Sequence, residues 1–344
     1  MGALTISGTI DTSQFWPNGG SDADTTKILI KVGSNSFAYT TDSGRRRITR
    51  IYETAQYDDR GKLKSLLRGK SRDTVVVRLQ GIDAPELHYQ PTPVKGKTLA
   101  GTGYVKEYRQ RQAETATVAL RNFLRRRGSG PVKCQFVTAL DDSRGPADAV
   151  DRYGRFVGNI VLADKTDLNL WLLEKGLATV GLYNSMTEGE IRTCVRANDK
   201  GKKAVSGILR RLTAKITAFD SKLLYRKPTK NSKPAIQDED GGTFILPKLY
   251  RRQTTWWANR KVGNVAGGFE AYVKEHGKDD RYFDRADFLS NGRHSATELG
   301  FPDLLSHGSL TAKPEDIIIK EAPSSIYKAG ATSKKGNEIR KWDF

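Results

Sequence analysis

The chain is poor in cysteine and histidine, short of acid, and without a long apolar run, and each shortage removes a class of protein. Cys134 and Cys194 alone cannot build a disulfide framework. His88, His276, His294 and His307 are not paired with one another, or with a cysteine, at the spacing of zinc ligands. No stretch approaches the ~20 apolar residues of a membrane-spanning helix. Met1-Gly2-Ala3-Leu4 opens a strand-like segment rather than a basic and then apolar leader. The expectation is a soluble, cytoplasmic protein of a reducing compartment, with no membrane partner. Asp and Glu number 39 against 58 Lys and Arg, a formal net charge of +19 over 344 residues. That excess favours a polyanion, nucleic acid first, whose association is driven by counterion release. An anionic membrane surface has the same sign, but the chain lacks an amphipathic anchor.

The length predicts two domains. Residues 4–10 alternate as a strand, Phe15-Trp16-Pro17-Asn18-Gly19-Gly20 is a loop, and a strand resumes from Lys27 to Val32. A basic insertion at 43–73 follows, with Arg45, Arg46, Arg47, Arg50, Lys62, Lys64, Arg68 and Lys70. A solvated face and a phosphate-tracking arm fit it equally. Apolar spacing predicts a helix over 104–127, with Arg121, Arg125, Arg126 and Arg127 at its basic end. Strands are expected at Val132–Val137 and Arg155–Leu162, and a second helix from Thr166 or Asp167 toward Gly176. Thr187-Glu188-Gly189-Glu190 has capping-box spacing and opens a third helix toward Lys200. Together these predict an α+β fold, a small β-barrel with helices packed on it.

The chemistry is concentrated in Arg78-Leu79-Gln80-Gly81-Ile82-Asp83-Ala84-Pro85-Glu86 and in Asp151-Arg152-Tyr153-Gly154-Arg155. An apolar strand from Thr74 runs into Ala84-Pro85, and proline ends it. Asp83 and Glu86 then flank one turn. Strict alternation would put Arg78 and Asp83 on opposite faces, so a bend is required near Gly81. Arginine forks and carboxylates so placed are equipment for cutting a phosphodiester. Taken singly, the same segments are a strand-ending turn and a charged hairpin.

In order, spacing and element type, these motifs resemble the staphylococcal nuclease family. The resemblance spans roughly residues 5–212 and includes Gly176-Leu177-Ala178-Thr179-Val180 and the acidic Asp22-Ala23-Asp24-Thr25. It implies an OB-fold, a five-stranded β-barrel with three helices, and a calcium-dependent nuclease acting on DNA or RNA to leave 5′-hydroxyl and 3′-phosphate ends. Asp24, Asp83 and the Ala84 carbonyl would be the metal ligands, hard oxygens suited to Ca2+ or another divalent cation, with Asp22 nearby. Arg78 and Arg155 would hold the phosphoryl oxygens, and Glu86 would activate water. Arg152 and Tyr153 would contact a neighbouring phosphate, and Tyr183 falls in the base-stacking region. The chain departs from the family in a longer loop at Phe15–Ser21, in Ala23 for glycine, and in the basic insertion. A nucleic-acid-binding scaffold with a silent site is the competing class.

The remainder is expected to be a linker at 213–242 and a smaller mixed domain at 243–344, in which no family pattern is recognised and which is assigned substrate choice, a regulatory partner or homo-oligomerisation. Lys248, Arg251, Arg252, Arg260 and Lys261 surround Tyr250, Trp256 and Trp257, a mixture suited to nucleic acid or to a core with basic flanks, the second being favoured. Trp342 and Phe344 close the chain after a loose tail at 329–341.

Overall fold

The computed structural model describes residues 2–30, 37–58, 60–69, 72–128, 130–141, 143–205, 207–216, 219–227, 236, 240–277, 280–292 and 294–342. Met1, Lys31, Val32, Lys70, residues 228–235 and 237–239 of the expected linker, and Phe344 lie outside them.

Strands β1 (Gly2–Ile10) and β2 (Thr25–Leu29) open the fold, and the hairpin β3 (Phe37–Thr40) and β4 (Arg46–Thr49) follows. The insertion continues through β5 (Thr54–Tyr57), β6 (Leu63–Ser65) and β7 (Leu67–Arg68) into β8 (Thr74–Leu79) and β9 (Gly81–Asp83). Helix α1 (Ala113–Arg125), β10 (Val132–Leu140), β11 (Phe156–Leu162), α2 (Leu168–Glu174), β12 (Thr179–Tyr183) and α3 (Glu188–Lys202) complete this half. Beyond it lie α4 (Pro247–Lys261), α5 (Phe269–His276), β13 (Arg281–Asp284), α6 (Arg285–Asn291) and β14 (Glu298–Gly300).

Five strands close a barrel in the order β1, β2, β8, β11, β10, with β10 returning to β1. All neighbours are antiparallel except β8 and β11, which run parallel from Phe156 opposite Val77 to Gly158 opposite Leu79. This is an OB-type barrel. Its interior follows from alternation: Leu4, Ile6 and Ile10 on β1 meet Val132, Cys134 and Phe136 on β10, with Ile6 opposite Phe136.

Helix α2 is capped by Asp167, whose carboxylate accepts the N–H groups of Asn169 and Leu170. Helix α3 starts from the Thr187/Glu190 capping box. Helix α1 is shorter than the apolar spacing predicts. Gln112 sits in the left-handed region, and residues 108–110 are drawn into other backbone bonds, Tyr108 with Tyr89, Arg109 with Leu223 and Gln110 with Glu86. Those long-range partners override local helix propensity.

The second half grows directly from the first. Its strand Ile317–Ile319 lies parallel to β12, with Leu182 opposite Ile318, and a sheet runs β14, β13, Ile317–Ile319, β12, β9. Tyr108 packs in one apolar cluster with Phe219, Leu249 and Tyr250, while Phe244, Phe283 and Ile318 join the barrel's own cluster. Trp256 and Trp257 pack half-buried against the first of these, so those rings serve packing. Trp342 docks on β3, just ahead of the insertion, its ring stacked on Tyr39 at 4.7 Å.

A buried ionic cluster fastens the two halves. Arg109 contacts Glu114 at 3.3 Å and Asp240 at 3.0 Å, and Arg226 adds a second cation to Glu114 at 2.9 Å. Asp240 also accepts the backbone N–H and hydroxyl of Thr115. Removing one member of such a group strands the others out of water. Asp240→Ala is therefore expected to lower the unfolding free energy by about 3 kcal/mol, measured in urea, and an unchanged midpoint would show that the cluster does not fasten the fold.

Candidate active site

The site begins where β8 turns into β9. Val75 and Val77 of β8 point into the barrel core, and Arg78 leaves it beside Thr25 of β2. Gly81 then has φ +79°, and a Cβ there would lie 2.7 Å from Cys194 Sγ, so this bend needs glycine. It returns Asp83 to the side of Arg78. β9 is held in place by β12, with Asp83 opposite Thr179, whose hydroxyl donates to the Asp83 carbonyl at 2.8 Å.

Arg78 is buried and shared. Its Nη1 lies 2.6 Å from Asp24 Oδ2, and its Nη2 lies 2.8 Å from Asp83 Oδ1. The Ala84 N–H donates to Asp24 Oδ2 at 3.0 Å. Burial opposes the charge on Asp24, but Arg78, the Ala84 N–H and Arg155 outweigh it and hold the carboxyl below the usual range. Burial likewise opposes the charge on Arg78, and Asp24 together with Asp83 reverses that.

Arg155 reaches the same cleft from the second motif. Its Nε bonds Asp151 Oδ2 at 2.7 Å, and its Nη1 donates to Thr25 Oγ1 at 3.2 Å. That hydroxyl donates in turn to Asp24 Oδ1 at 3.0 Å. Asp151 Oδ1 accepts the N–H groups of Tyr153 and Arg155, which shapes the turn, and Gly154 takes φ +78° within it. Arg152 and the 56 % exposed Tyr153 stand on the rim, joined by an Nη2–hydroxyl bond of 2.6 Å. Tyr183, at the end of β12, is half-buried within electrostatic reach of Arg78, Asp83 and Arg251.

Glu86 is fixed by its backbone. Its N–H donates to Gln110 Oε1 at 3.1 Å, and its carbonyl accepts the Gln110 N–H at 2.7 Å. Its carboxylate forms an ion pair with Arg251 of α4, which also lies 3.7 Å from Asp83 Oδ1. Burial raises the proton affinity of Glu86, with Arg251 opposing and Asp83 and Asp24 adding to the rise. Arg251 stands 165 residues from Glu86 in the chain, so no local motif marks it, and only its place in a basic, aromatic stretch singled it out.

Residues 76–210 match the staphylococcal nuclease homologue family. No curated protein matches the chain. The nuclease-homologue region contains Arg78, Asp83, Glu86 and Arg155, while Asp24 and Arg251 flank it on either side. Family and barrel together point to a nuclease or nucleic-acid-binding function. No helix among the described residues is long and apolar enough to cross a membrane. Nor, among the described residues, do three or more acidic, histidine or cysteine side chains converge in a ready metal cluster.

Asp22 gives the site a pH signature. Burial and then the charge of Asp24 raise its carboxyl to about 7, while its Oδ1 accepts the Thr25 N–H at 2.8 Å. An unfolded aspartate ionises near ~3.9, so the folded state binds more protons between there and about pH 7 and loses stability as pH rises. His88 acts in the same direction. Burial disfavours its charge, but Asp22 and the Gly20 carbonyl raise its value, so its contribution is present in acid and lost above. Asp22→Asn keeps the acceptor for Thr25 and removes the charge. It is expected to flatten this pH slope and to stabilise the protein at pH 8 by about 1–2 kcal/mol, measured by urea unfolding at pH 5 and pH 8. A variant with the wild-type slope would exclude Asp22 as its source.

Proposed function

We propose that the protein is a metal-dependent nuclease, with calcium as the preferred ion, hydrolysing DNA or RNA phosphodiesters by water attack. The observation that carries this reading is the convergence of Arg78, Arg155, Asp24, Asp83 and Glu86 on one cleft from segments far apart in sequence. In this reading the catalytic unit is residues 1–212, followed by the linker at 213–242, and the compartment is the cytosol.

The donors suit a hard cation in kind: carboxylates at Asp24 and Asp83 and the carbonyl of Ala84. Bound there, a cation would neutralise phosphate charge and acidify water. Glu86 takes a proton from the attacking water as an oxygen–phosphorus bond forms. The bond from phosphorus to the 5′ oxygen breaks and that oxygen takes up a proton from solvent water, leaving a 5′-hydroxyl and a 3′-phosphate. Arg78 and Arg155 stabilise the charge that gathers on the phosphoryl oxygens. Arg152 and Tyr153 on the rim, with Tyr183 within, take the neighbouring phosphate and base. A silent nucleic-acid-binding scaffold is favoured by one observation, the engagement of Glu86 by Arg251.

Digestion of labelled single-stranded and duplex DNA and RNA separates the two readings. Cleavage is expected with calcium and none with chelator, and Arg78→Ala and Glu86→Ala should each lower kcat/KM by ~10² to 10³. Persistent binding with no cleavage by wild type in any divalent ion would favour the scaffold.

A further inference from the structure

Helix α4 brings a stripe of cations to the cleft. Lys248, Arg251 and Arg252 share one face at i, i+3 and i+4, with Arg152 of the opposite hairpin within electrostatic reach of Lys248. Arg252 is paired with Asp280, which also lies 3.8 Å from Lys248 Nζ. The partners of Arg251 are instead Glu86 and Asp83, the acids of the site. Its side chain remains 27 % exposed, so it is open to solvent beside those acids.

We propose that Arg251 is a third phosphate-binding guanidinium of the active site, supplied by the C-terminal half to the same scissile or adjacent phosphate. This rests on the nuclease reading for its substrate. A removable plug is the other role such a contact could have, and the mounting of α4 argues against it. Leu249, Thr254, Ala258 and Asn259 are fully buried. Tyr89 bonds Thr255 at 2.9 Å, and Asn259 accepts the Val94 N–H at 3.1 Å and donates to the Thr92 carbonyl at 2.9 Å. Gln110, which clasps the Glu86 backbone, also donates to the Ile245 carbonyl at 2.6 Å, just ahead of α4. The helix and Glu86 are therefore set against each other by one side chain. A phosphate needs only the Arg251 side chain to turn. Its fork passes from Glu86 to the phosphoryl oxygens, and Glu86 is left for the water.

The test uses the full chain as wild type, Arg251→Ala, Arg251→Lys, and Arg260→Ala as a control for lost charge at the exposed end of α4. Binding of a fluorescent single-stranded oligonucleotide is measured in chelator, and cleavage is measured with calcium. Arg251→Ala should weaken binding ~10-fold and lower kcat/KM ~10² to 10³, with Arg260→Ala near wild type in both. Arg251→Lys keeps a cation for Glu86 if the alanine variant misfolds. It should bind within a few-fold of wild type yet lose at least ~10-fold in kcat/KM, since an ammonium cannot present the planar fork. Faster cleavage by Arg251→Ala would make the residue a plug and overturn the proposal, as would unchanged binding and cleavage, or a wild type that does not bind. If wild type binds but cleaves nothing, the nuclease reading fails, and the loss or retention of binding in Arg251→Ala still decides the proposal.

Discussion

Two carboxylates share one buried guanidinium, and the candidate active site depends on that sharing. Arg78 cannot be left alone out of water, and neither can Asp24 or Asp83, because an unpaired buried charge costs several kcal/mol. The three therefore impose one geometry on three backbone segments: the start of β2, the wall of β8, and β9 after its turn. Gly81 makes that turn sterically accessible, and the Ala84 N–H locks its far side to Asp24. Thr25 then relays the arrangement to Arg155 through one hydroxyl. Recognition of a phosphate by preorganised donors needs such rigidity, since each donor acts only where it is already aimed.

The C-terminal half contributes to the same arrangement. It extends the sheet from β9 through β12 and buries Asp240 against Arg109 beside α1. Through Gln110 it meets the backbone of Glu86. Arg251 on α4 pairs with Glu86 and lies near Asp83, while Arg155 on the Asp151–Arg155 turn reaches Asp24 through the Thr25 hydroxyl. An alternation of fixed cations and acids can grip a phosphate while leaving a carboxylate for water.

Much of the barrel was legible because its signals are local. Alternation marked β1, Asp167 and the Thr187/Glu190 box marked the starts of α2 and α3, and Pro85 marked the end of the strand carrying Asp83. The need for Arg78 and Asp83 to share a face marked Gly81 as a bend. The start of α1 was not legible, since bonds from residues 108–110 to Tyr89, Leu223 and Glu86 decide it. The same limit hid Arg251. Its charge and aromatic neighbours were visible, but its partner lies 165 residues away and nothing in the spacing names it. Trp342 likewise gave no sign that its partner would be Tyr39.

The most direct measurement is a double-mutant cycle on unfolding free energy with Arg78→Met, Asp24→Asn and the combined variant. A shared buried guanidinium predicts that the single losses overlap, with a coupling energy of at least ~1.5 kcal/mol. Losses that add to within ~0.5 kcal/mol would mean that Arg78 and Asp24 act independently, and would contradict the account.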